Sequence, residues 1–435
     1  VTETLLVVLH GEVVGELERA TPHSEPIFRY STAYLASGTV PLSLRLPPRA
    51  EAYPARLVTP YIEGLLPENE ATRNDWASRL RLANSDAFSL LSRMGWDCPG
   101  AVQFTPPDKI NTMRARGSML RPVSERKIGD RLRALRTDEA SWALPDEHWS
   151  LAGQQSKFAL VSRDGRWYRA TGAAATTHIL KPGIGRLRHQ ALVEHATMRA
   201  AALAGVEVVN SDYREFDGEP AIVIERFDRL NADGEVIRLH QEDFCQAVGR
   251  MPAFKYEAPR GPGLKDMNRV IRSASADVRR DAERLLDFVA INYVAGAPDG
   301  HSKNIALLLL PDQVRVAPLY DLSSAFPYKP SRGTLEVAVS IGGRRKLGEV
   351  QPRHWAEAAR VLGLPPRYVH DRVYDLADRF PAAFTSALEA IGTDAAHEVR
   401  ERARERLARH CDRLRAQLDS GAAATAFRGT ADSPG

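Results

Sequence analysis

Asp299, His301, Lys303 and Asn304 crowd into the stretch YVAGAPDGHSKNIALLLL, residues 293–310, between two strongly apolar flanks. Polar and charged groups at the edge of a core are costly unless partners or chemistry use them. A carboxylate can take a proton from a hydroxyl, and an amide oxygen can help hold a hard divalent cation. A lysine can neutralise charge that develops on a moving group. A second carboxylate, Asp321, follows in VRVAPLYDLSSAF, at the end of the next apolar segment. Together these side chains suit phosphoryl transfer. That reaction needs nucleotide phosphates held, one or two Mg²⁺ ions chelated, and a carboxylate near the incoming hydroxyl.

The spacing from Asp299 to Asn304 equals that from Asp to Asn in the kinase catalytic loop H-R-D-L-x-x-x-N. On this reading Asp299 is the base, Asn304 and Asp321 bind the metal, Lys303 neutralises the transferred group and His301 helps to orient it. A lone D-x-x-x-x-N is more often a cap or a turn. The ordered set favours chemistry: an apolar helix leads into the motif, an apolar hairpin follows, and an Asp ends the hairpin. Upstream, THILKP supplies Lys181 on an alternating strand as the phosphate-binding lysine, and HQALVEHATMRAAALA supplies Glu194 as its helix partner. Alone, each reads as an exposed strand-end lysine or a solvated helix face. The nucleotide cover is SLAGQQSK, with Ala152, Gly153 and Gln154 at its centre. It is weak as a glycine-rich loop, yet backbone amides can cradle phosphate without G-x-G-x-x-G.

The elements that must position these residues follow from pattern. LLVVLHGEVVGEL reads as a β-hairpin bent at His10-Gly11, and the alternating leucines of GTVPLSLRLP read as a half-buried strand. Helices are expected over NEATRNDWASRLRLA and SDAFSLLSRMG, the latter with Ser85 or Asp86 as N-cap and Gly95 as its stop. Two strands joined at Arg163-Asp164-Gly165 follow, then THILKP, a helix from about Leu187 to Ala204, and the strand AIVIERFDR. From Gln241 onward the sequence reads as helical, with the two strands around Pro311-Asp312 as its exception. The resulting fold class is α+β, a bilobal protein-kinase-like fold with an N-terminal α/β subdomain, a mixed β-rich N-lobe and an all-helical C-lobe. The expected divisions are an N-terminal subdomain over 1–104, a basic connecting segment over 105–146, the N-lobe with its phosphate-binding loop over 147–230, the helical C-lobe with the catalytic loop over 231–420, and a disordered tail over 421–435.

Composition bounds the rest. The 435 residues, 43% hydrophobic and 26% charged, suit a soluble protein of two or three domains. Cys98, Cys245 and Cys411 are odd in number and lack C-x-x-C spacing, so neither zinc nor redox chemistry is expected, and a reducing cytoplasm is the simplest home. The apolar run near the amino terminus is too short to span a bilayer, so no membrane association is expected. The net charge of +4 is mildly basic, and the arginines of EVRERARERLARHCDRLRAQL are interleaved with acids as on a paired surface helix.

SLAGQQSKFALV, THILKP, IVIERFDR, LHQEDFCQA, KYEAPRGPG, GAPDGHSKN and YDLSSAFP, in this order, resemble the HipA family of bacterial toxin kinases. VGEL, PLSLRLP and GLLPENEATR resemble its N-terminal subdomain, so the likeness runs from about residue 5 to about 415. The resemblance implies an ATP- and Mg²⁺-dependent serine/threonine protein kinase. It would be the toxin half of a type II toxin-antitoxin pair, held inactive by a HipB-like DNA-binding antitoxin, with operator DNA reached only through that complex. It further implies an aminoacyl-tRNA synthetase as substrate, typically the glutamyl enzyme, whose modification leads to growth arrest and persistence. Carried onto matching positions, Asp299 is the catalytic base, Asn304 and Asp321 bind Mg²⁺, Lys181 contacts ATP phosphate, and His301 lies by the phosphates. Glu225 and Phe227 correspond to the hinge that receives adenine. Ser150 corresponds to the autophosphorylated serine whose modified loop leaves the site, as added negative charge beside a polyphosphate site would favour. Where the family loop reads Ala-Gln-Glu-Lys, this chain has Gln154-Gln155-Ser156-Lys157, which removes a charge and adds Ser156 as a rival acceptor. Two other functions compete: a small-molecule kinase of the aminoglycoside or choline type, and a catalytically silent co-repressor.

Overall fold

His10 and Gly11 both adopt positive φ, 51° and 84°, the geometry that a tight hairpin demands. They join the strands Glu3–Leu9 and Glu12–Arg19. The computed structural model describes residues 2–38, 40–115, 119–138, 143–144, 146–232, 234–258, 260–328 and 334–429. The chain divides into two units: Val1–Ala191 with Val209–Lys255 and Ala306–Ala317, and Leu192–Val208 with Tyr256–Ile305 and Pro318–Gly435.

In the first unit, a four-stranded antiparallel sheet has the order Ile27–Tyr30, Glu12–Arg19, Glu3–Leu9, Val102–Thr105. Helices Glu70–Arg79 and Ala87–Met94 stand near it, and Asp86 caps the second by accepting from Ser89 N. The leucines of PLSLRLP form no strand. Leu42 and Leu46 are both buried, but a turn with Leu46 N on Ser43 O lies between them. Tyr30 Oη holds both ends, accepting from Leu42 N at 2.8 Å and donating to Leu46 O.

A six-stranded antiparallel sheet has the order Leu120–Val123, Arg166–Ala170, Phe158–Arg163, His178–Lys181, Glu219–Glu225, Ser211–Phe216. The region expected to connect domains, 105–146, supplies its edge strand and the helix Glu125–Thr137. That helix lies so close to the sheet that a Cβ at Gly129 would stand 2.3 Å from Phe216 O. Its many charges hid an apolar face of Ile128, Leu132 and Leu135, all buried. Val8 of the first sheet and Trp96 cluster with Met113 and Ala173. A three-stranded sheet of Gln241–Asp243, Ala306–Leu310 and Gln313–Val316 also belongs here, not to the helical region as expected. QEDFCQAVGRM correspondingly splits into the first of these strands and a short helix, Phe244–Val248.

The second unit is built on the helices Leu264–Ala274, Val278–Val294, Pro352–Leu362, Pro366–Ile391 and Asp394–Gly429. It is not all-helical. Glu336–Ile341 and Arg344–Lys346 form a hairpin over Gly342 and Gly343, whose φ values are 55° and 79°. The terminal helix buries Val399, Ala403, Leu407, Cys411, Leu414 and Leu418 on one stripe and carries pairs such as Glu398–Arg402, at 3.0 Å, on another. It continues to Gly429, so the segment expected to be disordered is helical over 421–429; its alanines are strong helix formers. Residues 430–435 lie outside the described residues. Cys98, Cys245 and Cys411 are all buried and form no disulfide.

Candidate active site

The candidate residues fall into two sets, one in each unit. In the first unit, Lys181 ends the strand His178–Lys181 and pairs in register with Ile222. It is only 5% exposed, which is not the state of a strand-end lysine in solvent. An ammonium is held out of water only where partners compensate its desolvation. The loop before the sheet is fixed at several points. Gly153 has φ 104°, a conformation that favours glycine, and a Cβ there would meet Lys157 Nζ at 2.7 Å. Lys157 Nζ donates to Ala152 O at 2.7 Å, and Glu68 N donates to Gly153 O at 2.9 Å. Gln155 reaches Gln190 at 3.1 Å. Gln154 lines a groove of about 780 Å³ that also includes Glu68 and Met251. Ser150 is fully buried, with its backbone N–H on Asp97 O at 3.0 Å. Ser156 is buried as well. Neither hydroxyl can meet a phosphate donor until the loop moves.

Glu225 and Phe227 begin the segment that leaves the sheet. Glu225 is exposed, and Asn210 donates to its Oε2 at 2.9 Å. The residues between and after them form a network that the sequence did not reveal. Arg226 donates to both oxygens of Asp228 at 3.0 and 2.8 Å, and Asp228 Oδ2 also accepts Gly100 N at 2.6 Å. Asp97 Oδ1 accepts from Arg229 at 2.9 Å and Arg238 at 3.0 Å, while its Oδ2 accepts Thr176 Oγ1 at 2.7 Å. Burial alone would raise the Asp97 carboxyl; Arg229, Arg238 and Arg226 overcome it and hold Asp97 well below the usual carboxylate range. Arg229 is pushed down to about 10 by burial and by Arg226 beside it. Such a buried set fixes geometry more than it adds stability, since removing one member strands the rest. The segment 225–229 is thereby locked onto residues 97–100.

In the second unit, Glu194 is 1% exposed on the helix Gln190–Leu203, not on a solvated face. The helix Val278–Val294 leads into the loop that holds the other residues. Asp299 O accepts from His301 N and from Asn304 Nδ2, both at 2.8 Å, and Asn304 N donates to His301 O at 2.9 Å. These bonds fold six residues into one knot and engage the Asn304 amide nitrogen, which leaves the amide oxygen as the atom that can face a cation. Gly300 is required by space, because a Cβ there would stand 2.4 Å from Asn292 Oδ1. The Asp299 side chain is 60% exposed; His301, Lys303 and Asn304 are buried. Tyr320 Oη donates to Lys303 O at 2.7 Å, which ties the residue before Asp321 to this loop. Asp321 itself has φ 60°, a strained left-handed state for a non-glycine residue. Thus Asp299, His301 and Asn304 are tied into one loop, and Tyr320 joins the segment of Asp321 to that loop at Lys303. Tyr256, which sequence reasoning did not single out, donates to Asp299 Oδ1.

Among the described residues no group of three or more His, Cys, Asp and Glu could hold a metal ion. An all-protein cage is therefore missing from that set. One carboxylate and one amide oxygen suit Mg²⁺, which keeps waters and substrate phosphates in most of its coordination positions. The donor set fits that ion.

A buried strand lysine, a pinned loop and a carboxylate–amide knot are the parts of a kinase. Family models agree on the fold and its type: the HipA N-terminal domain matches residues 5–105 and the HipA-like C-terminal domain matches residues 149–384. The chain belongs to the HipA family, has its kinase-like fold, and is a kinase. It is 38% identical over 383 residues to the Y4mE protein of Sinorhizobium fredii, covering 87% of this chain and 90% of that protein. It is 28% identical over 440 residues to the serine/threonine-protein kinase toxin HipA of Shewanella oneidensis, covering 96% and 97%. The solved HipA from the Shewanella oneidensis complex of HipA, HipB and operator DNA matches with a TM-score of 0.80 and 25% identity, over 96% of this chain and 99% of that one. Among the described residues no helix is long and apolar enough to cross a membrane.

Proposed function

We propose that the chain transfers the γ-phosphoryl group of ATP to a serine or threonine of a protein and serves as the toxin of a toxin-antitoxin pair. The observation that carries this reading is the loop DGHSKN, folded so that the exposed Asp299 carboxylate lies 3.8 Å from the buried His301 ring while the Asp299 backbone carbonyl accepts from the buried Asn304 amide. Asp299 takes the acceptor hydroxyl's proton. Asn304 and Asp321 would hold Mg²⁺, which would supply positive charge to offset that of the phosphates. Lys181 and Glu194 serve the nucleotide, Lys181 by holding phosphate, and the loop around Ala152, Gly153 and Gln154 covers it through backbone amides. Glu225 and Phe227 receive the adenine. The favoured substrate is an aminoacyl-tRNA synthetase, the glutamyl enzyme first, whose modification halts translation and promotes persistence.

The solved relative's company of HipB and operator DNA supports a HipB-like antitoxin as partner, with co-repression and DNA contact through that complex. Ser150 is the proposed self-inactivating acceptor and Ser156 its rival. Because both are buried, self-labelling follows loop release and is slower than transfer to the protein substrate. The test is incubation with Mg²⁺ and γ-labelled ATP, alone and with the host's aminoacyl-tRNA synthetases, followed by phosphosite mapping. Label on one synthetase and on Ser150 or Ser156 is the expected result. ATP binding with no transfer to any protein would move the reading to a small-molecule kinase or a silent co-repressor.

A further inference from the structure

Tyr256 belongs to the KYEAPRGPG segment, to which the reading above assigns no role. Its phenol donates to Asp299 Oδ1. Its ring stands edge-on to His301, with centroids 4.8 Å apart at 85°. His301 Nε2 lies 3.8 Å from the same Oδ1, so the phenol and the imidazole converge on one carboxylate oxygen.

The segment is held where this contact needs it. Glu257, the next residue, accepts from Ser340 Oγ at 2.8 Å and from Ser340 N, on the strand Glu336–Ile341. Gly261 N donates to Tyr256 O at 2.9 Å. A Cβ at Gly263 would come within 2.6 Å of Glu257 Oε1, so the turn closes tightly around that carboxylate. Tyr256 is 37% exposed, and hydrophobic packing alone does not fix its ring.

We propose that Tyr256 is a positioning residue for Asp299: its phenol fixes the rotation of the carboxylate so that the acceptor hydroxyl meets it in line with the phosphoryl group, and Glu257 anchors the segment that delivers the phenol. This rests on the reading of Asp299 as the base. A general base gains rate only when held within hydrogen-bond reach of the proton it takes, and an exposed carboxylate on a short side chain rotates freely unless a fixed donor holds it.

Tyr256→Phe keeps the ring against His301 and removes only the donor. Transfer from Mg-ATP to glutamyl-tRNA synthetase and phosphate release to water are both measured, so the result does not depend on one acceptor. The expected outcome is a kcat lower by on the order of 10-fold, with KM for ATP and the thermal midpoint unchanged. Glu257→Ala loses at least as much kcat, and the double variant loses no more than Glu257→Ala alone, because both act through one contact. Unchanged kcat in Tyr256→Phe overturns the proposal. A rise in kcat overturns it too, because the phenol would then be a competitor in the acceptor's place. Asp299→Asn is run alongside: if it stays active, the base assignment itself fails, whereas an inactive Asp299→Asn with unaltered Tyr256→Phe sinks this inference alone.

Discussion

Glu242→Gln is expected to stabilise the protein at alkaline pH and to leave it nearly unchanged under acid. Glu242 lies fully buried on the strand Gln241–Asp243, where Oε1 accepts Leu44 N at 2.9 Å and Oε2 has no hydrogen-bond partner. Burial raises its carboxyl from 4.5 to about 7, against the hydrogen bonds from Ser43 and Leu44 and with the help of Asp243. The folded state therefore holds a proton that the unfolded chain has given up. This group's contribution to stability is full below about pH 4.5, falls as pH rises through about 7, and is lost above it. At roughly 1.4 kcal/mol per pH unit the rise corresponds to about 3 kcal/mol, an upper figure because water entry and relaxation reduce it. Glutamine keeps the acceptor for Leu44 and carries no charge. Urea unfolding at pH 5 and pH 8 is the assay, with the variant more stable by about 1–3 kcal/mol at pH 8. His240, pushed down to about 4 by burial, titrates in both proteins and cancels in the difference. Parallel pH curves for the two proteins would refute the reasoning.

Asp321→Asn should weaken Mg-ATP binding about tenfold or more while leaving metal-free nucleotide binding intact; titration calorimetry with and without Mg²⁺ reads this directly. Gly300→Ala drives a Cβ into Asn292 and should cost about 1–3 kcal/mol together with most of the transfer rate, seen by thermal melting and labelled transfer. Asp97→Ala removes the carboxylate that Arg226, Arg229 and Arg238 share and should cost about 3–5 kcal/mol. Soluble protein with an unaltered melting midpoint would contradict the locking of segment 225–229.

Much of the fold was legible because local chemistry dictated it. His10-Gly11 and Asp164-Gly165 turn as their residue types require, and Asp86 and Gly95 bound their helix as expected. PLSLRLP misled because alternate burial of leucines is satisfied by a turn held on one tyrosine as well as by a strand. The hairpin at 336–346 did carry a signal, alternating Val337, Val339 and Ile341 before Gly342-Gly343, that went unread among helices. Nothing local marked Asp97, whose arginine partners lie about 130 residues away. The site divided in the same way. DGHSKN announced itself by residue type and spacing. Tyr256 did not, since its role depends on where Glu257 and Ser340 place it.

The most direct test of the central claim compares wild type with Asp299→Asn for Mg-ATP affinity and for transfer from γ-labelled ATP. Equal affinity, equal melting temperature and transfer reduced by at least about a thousandfold are expected, on the order that follows when a base and its alignment of the acceptor are both lost. Transfer within tenfold of wild type would contradict that claim and remove the DGHSKN loop from the chemistry.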